Sequence, residues 1–237
     1  MHDQEPKMIS TYQDSIWRYF QNRHPDIFKG SAARMNYIIR DISRRKAALV
    51  PRVLNIGAGN GYLELSGKKL GWEMASLDPD DGTVKWLREK GIKAHRGCVE
   101  DMPFTNEGCD FVIASEVLEH LDDEQLQTGL QEIARVMRKD AWFIGTVPYC
   151  EDLASNEVIC PRCQEVFHRW GHQRAFDLQS IENLLRCLFT PVVIRRRAFV
   201  SFRRKRFVGK LKSIVRLILA RYGLSIAVPS LYFVAKK

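Results

Sequence analysis

The densest chemistry in the sequence lies between residues 160 and 172, where Cys160, Cys163, His168 and His172 follow one another as C-x2-C-x4-H-x3-H. Two thiolates and two imidazoles suit a tetrahedral Zn2+. A loop this short has little core of its own, the situation in which a bound metal contributes most to folding. Four protein ligands would fill the coordination sphere, so the expected zinc is structural. Two other readings compete: a redox pair, although these cysteines do not open a helix in a thioredoxin-like unit, and free thiols. A second candidate is the pair Glu119-His120. Its imidazole suits a general base on a substrate hydroxyl; the plainer reading is a structural cap. A third is the run Gly57-Ala58-Gly59-Asn60-Gly61, directly after the apolar Val53-Leu54-Asn55-Ile56.

That run has a physical logic. Glycines let a backbone turn at positive φ and approach a ligand closely. A helix opening there offers free N–H groups to polar or anionic ligand atoms. Asp78 lies 21 residues beyond Gly57, near the spacing of about 20 at which an acid accepts hydrogen bonds from ribose hydroxyls. Residue 62 is Tyr, so the loop reads GxGxG and not the GxGxxG of dinucleotide enzymes.

These groups need a scaffold, and the periodicity supplies one. Strands are expected at Val53–Ile56, Glu73–Leu77, Ile92–Arg96, Cys109–Ser115, Ala141–Val147, Val192–Phe202 and Ser230–Ala235. Helices are expected at Tyr62–Leu70, Thr83–Lys90, Asp123–Arg138 and Asp177–Leu188, the last with Asp177 as N-cap. Residues 11–46 carry helical spacing broken at His24-Pro25. Strands alternating with helices predict an α/β fold with a mostly parallel sheet covered on both faces.

Charge is unevenly spread. The 237 residues hold 37 Lys and Arg against 28 Asp and Glu, but every acid lies at or before Glu182. Residues 183–237 carry 14 basic groups and no acid. Over 203–222, Phe207, Leu211, Ile214, Val215, Ile218, Leu219 and Tyr222 fall in one helical arc bordered by Lys and Arg. Such a helix suits an anionic membrane surface. Packing on the protein's own core or in a homodimer is the second reading, and nucleic acid the third. No apolar run is long enough to span a membrane and no secretory signal is read, so a cytoplasmic place, peripheral to the inner membrane face, is expected.

Taken together, these segments resemble class I S-adenosylmethionine-dependent methyltransferases of the small-molecule branch. VLNIGAGNGYLE is similar to that family's first motif, SLDPD to the acidic end of its second strand, CVEDMPF to its adenine-side loop and CDFVIASEVLEHL to its fourth-strand motif. The resemblance covers about residues 50–200, with SLYFVAKK as the closing strand. It implies a Rossmann-like fold with a mostly parallel seven-stranded sheet and S-adenosyl-L-methionine as cofactor. Gly57, Ala58, Gly59 and Gly61 would then line the methionine part, Asp78 and Pro79 the ribose, Asp101 and Met102 the adenine, and Ser115 the sulfonium side. Asn55 stands where the family usually carries an acid, which implies a weaker or indirect contact to the cofactor's amino group. GHQRAFDLQSIENLL resembles a stretch whose histidine faces the active-site mouth, which offers Cys150 in place of His172 as the fourth zinc ligand. The CPxC…FHxxGH pattern resembles an insertion in bacterial methyltransferases of cell-surface saccharide pathways.

The expected organisation is an N-terminal helical cap over 1–48 and a methyltransferase domain over 49–237, with a zinc-knuckle insertion at 150–175 and a basic helix at 203–228. The expected acceptor is small or lipid-linked, a saccharide or other hydroxyl compound, with His120 catalytic and Tyr12, Trp17 and Trp170 lining the site. The rival readings are an RNA methyltransferase and a non-catalytic scaffold at a membrane surface. The net acidity of residues 1–182 and the absence of an NPPY-like motif count against RNA.

Overall fold

The computed structural model of the chain describes residues 12–46, 48–199 and 229–237. The basic helix expected over 203–228 lies outside them. Helix α1 spans Tyr12–Arg23, a 3-10 helix spans Pro25–Ser31 and α2 spans Ala32–Arg45. The break falls at His24-Pro25, because proline disfavours helical backbone in the residue before it. Five strands and three helices then alternate: β1 Arg52–Ile56, α3 Tyr62–Lys69, β2 Glu73–Asp78, α4 Asp81–Glu89, β3 Lys93–Arg96, β4 Cys109–Ser115, α5 Asp123–Val136 and β5 Met137–Pro148. A hairpin of β6 Glu157–Ile159 and β7 Val166–His168 follows, then α6 Leu178–Arg186, β8 Val192–Arg197 and β9 Ser230–Lys236.

The main sheet has the order β3-β2-β1-β4-β5-β9-β8. Strands β1 to β5 pair in parallel, while β9 runs antiparallel to both β5 and β8. Central strands are apolar along both faces, as a sheet covered on both sides requires: β4 is buried from Cys109 through Ala114. Val112, Phe143 and Phe233 pack under α5 and α6 against Leu130, Ile133, Ile181 and Leu185. Ile113, Val53 and Val234 face the other way, against Ile38 and Ile42 of α2, Leu63 of α3 and Leu87 of α4. Helix α2 is thus part of the core layer.

Helix starts are fixed by side chains. Asp80 accepts from the Thr83 N–H, and Asp122 and Asp177 form capping boxes with Gln125 and Ser180. Strand β5 begins at Met137, four residues before the expected Ala141. Its entry pairs Met137 with Cys109 and passes an irregularity before Phe111 meets Trp142, a distortion that periodicity does not record. The exposed edge strand β8 carries Arg195 and Arg196, charges that discourage pairing with another sheet.

Candidate active site

The order of strands reverses between β1 and β4, since β1 leads outward to β2 and β3 while β4 leads to β5. Ligands of such sheets bind beyond the carboxyl ends of the strands at that point. The glycine loop leaves β1 there and enters α3. Gly57, Gly59 and Gly61 all adopt positive φ. At Gly61, φ is +66°, and a Cβ would overlap the Trp86 ring. At Gly59, a Cβ would stand 3.3 Å from the Phe28 ring, so the aromatic lies directly over the loop.

Asp78 ends β2 and is 2% exposed. Its Oδ2 accepts from the Ala58 N–H at 2.8 Å and its Oδ1 from the Asp80 N–H at 2.9 Å, which ties the glycine loop to β2. The Gln21 amide of α1 donates to Oδ2 at 3.4 Å. Burial raises the carboxyl to about 6, against these hydrogen bonds, which favour the charged form. Pro79 follows, half-buried, with its carbonyl accepting from Arg96 at 3.4 Å. Asn55 does not face the ligand side. Its amide donates to Glu64 at 2.7 Å and to the Gly57 carbonyl at 3.3 Å, beneath the loop.

Of the adenine-side pair, Asp101 is exposed. Met102 is buried in the core, with its N–H already donated to Glu132 at 2.9 Å. Ser115 closes β4; its Oγ accepts from Arg34 at 2.8 Å and lies 2.8 Å from the Thr146 hydroxyl. Arg34 on α2 also reaches Glu116 at 3.8 Å. Glu116 itself holds φ +58°, an uncommon conformation for a residue with a side chain.

Beyond Ser115 the chain makes a short 3-10 turn, Leu118–His120. His120 Nδ1 donates to the Gly171 carbonyl at 3.2 Å, and its ring meets the edges of Trp17 at 5.4 Å and His172 at 4.7 Å. Burial lowers the imidazole to about 3, and the neighbouring His172 adds to this. His172 Nδ1 donates to Glu151 at 2.5 Å. Glu119 is 0% exposed and neither carboxyl oxygen has a partner among the described residues. Burial, with Glu116 nearby, pushes its carboxyl well above the usual range. Trp17 packs against Phe28 and Phe20, and Phe20 against Trp170, so an aromatic wall faces the histidines. The expectation for the Tyr12 ring lies outside the described side chains.

The expected zinc set is not assembled. Glu157 pairs with His168 and Ile159 with Val166, which leaves Cys160 and Cys163 at the hairpin's turn. His168 sits at the opposite end, about 7 Å along the strand from Val166. His172 lies beyond it against Glu151, with its ring stacked on His168. Among the described residues, the metal-competent groups are Glu119-His120-His172 and Glu151-His168-His172, and neither contains a cysteine. Cys150, the proposed substitute, is exposed and in neither group. At the turn, the N–H groups of Cys163 and Arg162 lower the Cys160 thiol below its ordinary value. Sequence reasoning missed Glu151 because it belongs to no spaced motif; only the fold brings it to His168 and His172, and only the fold brings His172 to Glu119-His120.

Residues 54–145 match the family model described as "Methyltransferase domain". Over 90 residues the chain is 30% identical to an uncharacterized methyltransferase of Staphylococcus carnosus, covering 38% of this chain and 43% of that protein. It is 28% identical over 157 residues to the human mitochondrial ubiquinone biosynthesis O-methyltransferase, covering 59% of this chain and 41% of that one. The chain thus spans less than half the length of these curated relatives. Among solved structures, the Burkholderia thailandensis 1,6-didemethyltoxoflavin-N1-methyltransferase with bound S-adenosylhomocysteine superposes with a TM-score of 0.65 at 17% identity, over 98% of this chain and 92% of that one. Residues 54–145 are thus similar to a methyltransferase domain, and the chain has a Rossmann-like fold shared with that solved methyltransferase.

Proposed function

We propose that this chain transfers a methyl group from S-adenosylmethionine to a hydroxyl oxygen of a small or lipid-linked acceptor, a saccharide or related compound. One observation carries the reading: the glycine loop with Asp78 and the Glu119–His120 turn with its aromatic wall meet at one carboxyl edge, on either side of Ser115. The cradle fits the cofactor. Three glycines at positive φ make the tight turn from β1 into α3, and Asp78 can accept from ribose hydroxyls once Gln21 and the Phe28 ring over the loop give way. When bound, the cofactor supplies an electrophilic methyl on a sulfonium whose leaving group is neutral.

The chain's own residues then have positioning roles. Arg34 fixes Ser115 and stands by Glu116 at the reacting end. Trp17, Phe20, Phe28 and Trp170 exclude water and hold an apolar or ring-shaped acceptor face. His120 keeps its Nδ1 proton on Gly171, so Nε2 presents a lone pair towards the acceptor side. Holding two reactants in line is itself a large part of such catalysis. The peripheral membrane contact rests on residues 203–222; among the described residues no helix is long and apolar enough to cross a membrane.

The test is calorimetric titration of S-adenosylhomocysteine into the purified chain, followed by transfer of labelled methyl to hydroxyl acceptors. One-to-one binding and label in a saccharide or lipid-linked fraction is the expected result. Label in RNA, with a steep salt dependence, would move the RNA reading to the front. No binding by folded protein would leave the scaffold reading.

A further inference from the structure

We propose that Glu119, His120 and His172 bind one divalent transition-metal ion on the acceptor side of the site, apart from the cysteine turn. A donor atom of each lies within 4.8 Å of the others, close enough for small side-chain rotations to bring all three onto one ion. The hydrogen bonds set both tautomers. A carbonyl only accepts, so His120 holds its proton on Nδ1 towards Gly171. A carboxylate only accepts, so His172 holds its proton on Nδ1 towards Glu151. Both rings therefore present Nε2 lone pairs. Orientation of each ligating imidazole by a carbonyl or a carboxylate is the usual arrangement behind metal-bound histidines.

Glu119 is the second, independent observation. It is fully buried with both oxygens unpartnered among the described residues, and one of its oxygens lies within 4.8 Å of a ring nitrogen of each histidine. Buried carboxylates are normally paired or bound to metal. The neighbouring group Glu151-His168-His172 fails the same examination. His168 Nδ1 accepts the His172 N–H at 3.0 Å and the Trp170 N–H at 3.3 Å, so its proton sits on Nε2 and no lone pair is left for an ion. Glu151 and His168 are supports.

Two imidazoles and one carboxylate are the donor set of open zinc sites and suit transition metals over Mg2+ or Ca2+. The remaining position would take an acceptor oxygen. That use rests on the methyl-transfer reading: the bound hydroxyl gives its proton to water, its oxygen forms the O–C bond as the S–C bond breaks, and the electron pair stays on sulfur. Ion binding itself does not depend on it.

The full chain, stripped by a chelator and checked for fold by circular dichroism, is titrated with Zn2+ and with Co2+ alone. We expect one equivalent of either ion, a rise in melting temperature, and a visible Co2+ spectrum without a thiolate charge-transfer band. The Cys160→Ser/Cys163→Ser double variant keeps the ion. His172→Ala weakens binding by about 100-fold, and Glu151→Gln by about 10-fold. Glu119→Gln loses the metal-induced rise while its metal-free form melts no lower than wild type, because a neutral amide replaces a buried unpaired acid. A thiolate band, loss of the ion from the cysteine variant, or wild-type affinity in both Glu119→Gln and His172→Ala would overturn the site, as would no ion bound by folded protein. S-adenosylhomocysteine binding is measured on the same samples, and its failure would strike the methyl-transfer reading alone.

Discussion

The two halves of the carboxyl edge are built differently. The cofactor half comes from consecutive turns of one βαβ unit: Gly57 to Gly61 lie on one loop, and Asp78 reaches back to Ala58 through a single hydrogen bond. The acceptor half gathers Trp17, His120, Glu151, Gly171 and His172 from three distant stretches of chain. The first half is held by backbone geometry and the second by side chains packed on one another. On the proposed reading, a substitution in the wall or at the histidines alters acceptor binding and leaves the glycine loop in place.

The sharpest way to break this comparison is Asp78→Ala. Losing two or more hydrogen bonds from a charged group should weaken S-adenosylhomocysteine binding by about 100-fold or more; calorimetry showing unchanged affinity would remove Asp78 from the cofactor half. Next in size is a pH effect beneath the loop. Burial raises Glu64 to about 7 from an ordinary 4.5. The folded state then binds the proton more tightly than the unfolded chain, so stability is highest below pH 4.5 as far as this group decides. It falls as pH rises to about 7, by on the order of 3 kcal/mol. Asp78 contributes in the same direction between 3.8 and about 6. Chemical denaturation at several pH values should show the decline, and Glu64→Gln should flatten the upper part of it. An identical slope in the variant would mean that the loop's support is not titrating.

Gly61→Ala tests the backbone half by geometry. A Cβ at φ +66° that meets Trp86 should cost about 2–3 kcal/mol, read as a melting temperature roughly 5–10 °C lower. A wild-type melt would show that the loop tolerates side chains and that its constraint was overstated. The smallest effect separates two cysteines outside either half. Cys160, exposed to backbone N–H groups at the hairpin turn, should be alkylated well before Cys109, whose thiol burial pushes up to about 11. Peptide mapping after timed alkylation of chelator-treated protein gives the order, and the reverse order would show that the turn does not hold its thiol as described.

The amino-acid sequence by itself determined the main sheet, its helices and the place of the glycine loop between β1 and α3. Their signals are local: apolar runs, glycines, and caps such as Asp177, all read within a few residues. The tertiary structure alone decided the acceptor half. C-x2-C-x4-H-x3-H is a pattern of spacing, and spacing predicts a ligand set only if the chain between the ligands curls. Here residues 157–168 pair as a hairpin, so the cysteines go to one end and His168 to the other. The partner of Asn55 was equally illegible, since only the fold shows that its amide donates to Glu64. Glu119 next to His172, like Glu151 next to both histidines, is a long-range contact, and a pattern read along one strand of text carries no term for it.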